Sequence, residues 1–108
     1  MIGSFRSKAL RNLWEKNDPT GVSPNARPRI ARILSILESA ESLRDLDVPG
    51  FRFHALTGFT PRRYSMRVTG NWRIIFAWED GVSSAVDLED YGLRRRRNSA
   101  RQVRQSEK

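Results

Sequence analysis

Between Leu46 and Phe51 the hydrophobic pattern of this chain changes period. Upstream, Leu10, Leu13 and Trp14 fall at i, i+3 and i+4, and Ile30, Ile33, Leu34 and Leu37 repeat that spacing, so each set makes one stripe of a helix. Downstream, apolar and polar residues alternate, as on strands with one covered face. Helices gathered at one end of the sequence and strands at the other predict an α+β layer pair.

Ser7 offers an N-cap for a helix over 8–16, and Asn17-Asp18-Pro19-Thr20-Gly21 stops it, because proline disfavours helix before it and glycine tolerates the reversal. Ser23-Pro24 reads as the next N-cap with proline at the first helical position, and the helix continues to about Ala40. Pro28 removes one helical hydrogen bond, so the regular part is expected to begin near Arg27, with Arg27, Arg29 and Arg32 on its wetter side.

After the Pro49-Gly50 turn, Phe51, Phe53 and Ala55 alternate with Arg52, His54 and Leu56. A loop containing Gly58 and Pro61 leads to Tyr64, Met66 and Val68 against Ser65, Arg67 and Thr69. Gly70-Asn71 allows a bend or bulge, and then Trp72, Ile74, Phe76 and Trp78 oppose Arg73, Ile75, Ala77 and Glu79. Asp80-Gly81 is the strongest hairpin signal, because both central residues of a type I′ turn need positive φ. The last strand puts Ser84, Val86 and Leu88 on one face and Ser83, Ala85 and Asp87 on the other. Met1-Ile2-Gly3-Ser4-Phe5 is compatible with one more strand, which makes two helices on an antiparallel sheet of about four to five strands. The Trp72, Ile74, Phe76, Trp78 face, being the most apolar, is expected to meet the helices. The other face then presents Arg52, His54, Arg67 and Arg73 together, with Glu89 and Asp90 arriving at the strand end.

The net charge is +8, of which +6 lies beyond Tyr91 and +2 in the body before it. A chain this basic points to a nucleic-acid partner. Residues 92–108, with Arg94, Arg95, Arg96 and Arg97 and few apolar groups, cannot build a core. They are expected to form a tail, disordered unless bound, behind a domain over 1–91. The absence of Cys excludes disulfide scaffolds, thiolate zinc sites and cysteine nucleophiles, and a single His leaves little room for a His-rich metal site. No metal or cofactor is expected. The start lacks a signal-peptide pattern and no apolar run is long enough to span a bilayer, so the expectation is a soluble cytoplasmic chain with no membrane contact.

A face with three Arg, one His and nearby carboxylates suits a phosphate-bearing ligand, since guanidiniums bind phosphate in bidentate fashion and stabilise added negative charge. The metal-free reaction open to such a set on RNA is intramolecular attack of the 2′-hydroxyl on its own phosphate, with one base and one acid. Candidate proton carriers are His54, Asp90, Tyr91 and Glu89, with Arg67 and Arg73 stabilising charge. The same residues also read as a solvated strand face and a packed strand end, and Trp14, Trp72 and Trp78 as core. The arginine tail reads equally as a solubilising or non-specific polyanion-binding extension.

Met1-Ile2-Gly3-Ser4-Phe5 with Lys8-x-Leu10, Phe51-Arg52-Phe53-His54-x-Leu56-x-Gly58, Ser65-Met66-Arg67-Val68, Gly70-Asn71-Trp72-Arg73-Ile74-Ile75-Phe76, Glu79-Asp80-Gly81 and Asp87-Leu88-Glu89-Asp90-Tyr91 carry a family likeness. Over residues 1–91 the chain resembles the HigB toxins of bacterial toxin–antitoxin pairs, in the RelE/ParE superfamily. The resemblance implies a RelE-like fold and metal-independent cleavage of messenger RNA in the ribosomal A site. It also implies restraint by a helix-turn-helix, HigA-like antitoxin, with operator DNA reached only through the toxin–antitoxin complex. Under it, His54, Arg73, Asp90 and Tyr91 are the catalytic positions, and Arg52, Arg62, Arg63, Arg67 and Arg94 to Arg97 bind RNA.

Two positions depart from the family: Thr57 stands where Lys is usual, and Gly92 where His follows the Tyr. Losing a cationic stabiliser or a proton carrier costs about two to four orders of magnitude in rate each. The readings are therefore an attenuated endoribonuclease, with Arg62 or Arg63 replacing the lost cation, and a non-catalytic relative that binds RNA, ribosome or antitoxin through the same face. A ParE-like gyrase inhibitor is a third, but it has no need of the His54, Arg73 and Asp90 set.

Overall fold

The computed structural model describes residues 1–90. Ser7 accepts a hydrogen bond from Leu10 N at 3.2 Å and opens α1 (Lys8–Lys16), and Asn17 closes it in the left-handed region at φ 53°. α2 (Arg27–Ser39) starts where Pro28 requires. Ser23-Pro24 does not cap it. Instead the Ser23 carbonyl takes the Ala26 N–H at 3.0 Å in a preceding turn, and Pro28 sits in the first helical turn, where its missing N–H costs nothing. A 3₁₀ turn over Leu43–Leu46 leads toward the sheet.

β1 (His54–Leu56), β2 (Arg63–Thr69), β3 (Trp72–Glu79) and β4 (Val82–Asp90) form one antiparallel sheet in chain order. Asp80 and Gly81 adopt φ of 50° and 81° between Glu79 and Val82, which face each other across the turn, as the hairpin signal demands. The opening residues do not form a regular strand. Ile2 and Phe5 make single parallel bridges to Ser83 and Val86, so this segment lines the outer edge of β4 and occupies its free hydrogen-bonding groups. Gly3 permits that approach, since a Cβ there would lie 2.7 Å from Val82 Cγ1.

Both helices cover the sheet face carrying Met66, Val68, Ile74, Phe76 and Val86, which are buried together with Leu10, Ile30, Ile33, Leu34 and Leu37. Phe53, Tyr64 and Phe76 stack across three strands' width of this face with centroid spacings of 5.5 and 6.1 Å. Trp72 departs from the expected pattern: it opens β3 beside the Gly70-Asn71 turn, at the end of the sheet, and is 46% exposed. β4 departs as well, because Ala77 pairs with Ser84 but Ile75 with Asp87, which leaves Ala85 and Val86 opposite Phe76. Ala85 takes φ 51° in this bulge, and the alternation shifts so that Ser83, not Ser84, shares the covered face with Val86 and Leu88. Of the helix arginines expected on the wetter side, only Arg32 is exposed. Arg27 and Arg29 are half-buried, and Arg27 Nε donates to the Val22 carbonyl at 3.0 Å.

Candidate functional site

The second face of the sheet carries neither helix, and register decides what meets there. His54 pairs with Ser65, Ser65 with Ile75 and Ile75 with Asp87, making one row across the strands. The next row aligns Arg67 with Arg73 and Arg73 with Glu89. Rows on one face lie about 7 Å apart and strands about 4.8 Å, so the long arginine side chains and the His54 ring can converge on one ligand. Two arginines directly opposed across a strand pair repel each other. An anion between them relieves that repulsion, and Glu89 offsets part of it from the other side of Arg73. Beneath the charges, Ser65 and Ile75 are 0% and 1% exposed, so the face has a dry floor.

His54 opens β1 on its exposed side. Its Nδ1 lies 3.0 Å from the Arg52 carbonyl, and the buried Ser65 hydroxyl lies 3.5 Å from Nδ1 and 3.4 Å from Nε2. Arg52 itself is not a strand residue. It takes φ 49°, left-handed, before β1 begins at His54, so strand alternation does not place Arg52 on one face with His54 as expected. Arg63 pairs with Leu56 and holds its guanidinium 5.7 Å from the Phe59 ring, a cation–π contact at the mouth of the loop after β1. Arg62 and Thr57 are exposed on the same loop.

Of the candidate residues, His54, Arg63, Arg67, Arg73 and Glu89 thus share one face by register. Asp90 does not join them through the strand register: it pairs with Trp72, whereas its neighbour Glu89 pairs with Arg73. Tyr91, Gly92 and the tail arginines Arg94, Arg95, Arg96 and Arg97 lie outside the described residues. One residue that braces the backbone beside this face has no functional mark in the sequence. Arg29 donates through Nη2 to the Gly50 carbonyl and through Nε to the Arg67 carbonyl at 3.1 Å, with Cζ 4.2 Å above the Phe51 ring. Its polar partners are backbone carbonyls, which no residue pattern announces.

A family model described as the RelE-like toxin of the type II toxin-antitoxin system HigB matches residues 3–91. The chain is 33% identical over 91 residues to a protein named endoribonuclease HigB from Proteus vulgaris, covering 84% of this chain and 99% of that one. It is 35% identical over 93 residues to toxin HigB-1 from Vibrio cholerae serotype O1, covering 84% of this chain and 98% of that one. The match spans both helices and the whole sheet, and the chain belongs to the HigB family of RelE-like toxins of type II toxin–antitoxin systems.

Proposed function

We propose that this toxin is a cytoplasmic endoribonuclease that cuts messenger RNA on the ribosome without a metal ion and is neutralised by a helix-turn-helix, HigA-like antitoxin. The observation that carries the reading is the Arg67, Arg73, Glu89 row beside His54 on the face that no helix covers. The relative from Proteus vulgaris is named an endoribonuclease, which supports RNA as the substrate. Among the described residues no helix is long and apolar enough to cross a membrane.

In the proposed reaction a base takes the proton of a 2′-hydroxyl, that oxygen forms a bond to the adjacent phosphorus, and the 5′ oxygen leaves with a proton from an acid. Arg73 and Arg67 offset the charge that accumulates on the phosphoryl oxygens, over a dry floor where such contacts are strongest. His54, Asp90 and Tyr91 are the proton carriers in this reading, and Glu89 joins them on register. Arg52, Arg62 and Arg63 bind flanking RNA. The tail arginines Arg94, Arg95, Arg96 and Arg97 add non-specific phosphate contacts, so a chain ending at Tyr91 should lose most of its salt-dependent ribosome affinity. Operator DNA is met only through the antitoxin.

The test is induction without antitoxin, with cleavage of ribosome-bound messages mapped for wild type and for Arg73→Ala, Glu89→Gln and Asp90→Asn separately. Growth arrest with A-site cuts that vanish in Arg73→Ala supports the nuclease. One observation favours a second reading, a non-catalytic relative that binds RNA, ribosome or antitoxin: Thr57 is exposed after β1 and brings no cation to the face. Arrest without cuts, or no arrest, is the result that selects it.

A further inference from the structure

We propose that Arg29, on α2, decides which nitrogen of His54 exchanges a proton, acting through the backbone of residues 50–52. The inference rests on His54 being a proton carrier, as above. One guanidinium joins helix, loop and sheet at a single place: it donates to the Gly50 carbonyl and, at 3.1 Å, to the Arg67 carbonyl, and it covers the buried Phe51 ring at 4.2 Å. The Phe51 carbonyl in turn accepts the Arg67 N–H at 2.6 Å, so the loop is tied to β2 on both sides of the clamp.

From this anchor the chain runs through φ of 91° at Gly50 and 49° at Arg52. A residue with a side chain keeps a left-handed conformation when its surroundings hold it there. Here the conformation turns the Arg52 carbonyl onto the imidazole, 3.0 Å from Nδ1. A carbonyl only accepts, so Nδ1 carries the hydrogen and the lone pair of the neutral ring sits on Nε2. The Ser65 hydroxyl does not reverse this, since at 3.5 and 3.4 Å it is nearly equidistant from both nitrogens and at the limit of hydrogen bonding. Nε2 is therefore the atom that takes the 2′-hydroxyl proton or returns one to the leaving oxygen. Arg29 acts here through the Gly50 and Arg67 carbonyls and the Phe51 ring and is a positioning residue.

The chain has one histidine, so imidazole nitrogen shifts of the untagged, nitrogen-15-labelled full chain report His54 alone. With the ring neutral, wild type should show a protonated Nδ1 and an unprotonated Nε2. Arg29→Ala and Arg29→Lys should move the ring toward the other tautomer, as should Arg52→Val, because a β-branched residue resists positive φ. Arg52→Gly, which adopts that conformation freely, should keep the wild-type shifts. Cleavage by the Arg29 variants should fall in kcat by about tenfold or more, with the full general acid–base contribution of roughly 10²–10⁴-fold as the ceiling and KM little changed. An Nε2–H ring in wild type overturns the proposal, as does a folded Arg29→Ala with wild-type shifts. Should Arg29→Ala fail to fold by circular dichroism, the contrast of Arg52→Val with Arg52→Gly decides. A tautomer that moves while cleavage does not would sink His54 as the proton carrier and uphold the brace. A wild type without cleavage would sink the nuclease reading, and the nitrogen shifts would still decide the brace.

Discussion

Ile74 and Ile75 are neighbours on β3, 0% and 1% exposed, yet they belong to different chemistries. Ile74 lies in the core with Phe76 and Val86 under two helices. Ile75 lies on the opposite face, in a row between Ser65 and Asp87, one row from Arg73. The covered face is made stable by area removed from water, which tolerates no missing volume. The other face uses a small dry floor to strengthen charges that stand around it. If the proposed site is right, stability and catalysis are separable across the thickness of one sheet.

The sharpest separation should come from Phe76→Ala and Arg73→Ala measured side by side. Phe76 is fully buried in the core, and its truncation should cost about 3–5 kcal/mol in urea unfolding, with any loss of cleavage following the unfolded fraction. Arg73→Ala should leave the unfolding midpoint far closer to wild type and lower message cleavage by about 10²–10³, the usual consequence of deleting one group that stabilises transition-state charge. If Arg73→Ala unfolds the chain as Phe76→Ala does, the two faces are not separable and the second is a structural one.

The covered face was readable from the sequence because helix and strand periods each survive packing. Leu10, Ile30, Ile33, Leu34 and Leu37 all fall in the core, Ser7 caps α1, and Asp80-Gly81 makes its turn. On the second face, alternation along β2 and β3 was enough to bring Arg67 and Arg73 together. What escaped depends on single backbone conformations. Arg52 leaves the strand through a left-handed φ, the clamp at Arg29 grips carbonyls, and the bulge at Ala85 falls in a run of small residues, Ser83-Ser84-Ala85, that marks neither face. The family likeness directs attention to Asp90, whereas the strand's own alternation puts Glu89 opposite Arg73.

That bulge supplies a smaller test of the comparison. Ala85 holds φ 51° where β4 must keep Val86 in the core and Asp87 on the second face. Glycine reaches this conformation without a Cβ penalty, so Ala85→Gly should stabilise the chain by about 0.5–1 kcal/mol in urea unfolding while leaving cleavage unchanged. Destabilisation would mean that the methyl group is packed and that the bulge is held by contact rather than tolerated against strain.

The smallest effect is expected outside both faces, in the connection from α2 to the sheet. Asp45 accepts hydrogen bonds from the Glu41 and Ser42 N–H groups at 2.9 and 3.2 Å. Those bonds, the Glu41 one foremost, hold its carboxyl below the ordinary aspartate value of 3.8. A carboxyl whose folded value is depressed adds stability that is complete above its unfolded value and disappears as pH falls through the folded one. Wild type should therefore melt slightly above Asp45→Ala by a margin that is flat from neutral pH down to the ordinary value of 3.8 and closes below it. Because the group is fully exposed, the margin should be the narrowest of the series. A margin that instead varied near neutral pH would mean that the stability lost in Asp45→Ala does not come from the hydrogen-bonded Asp45 carboxylate.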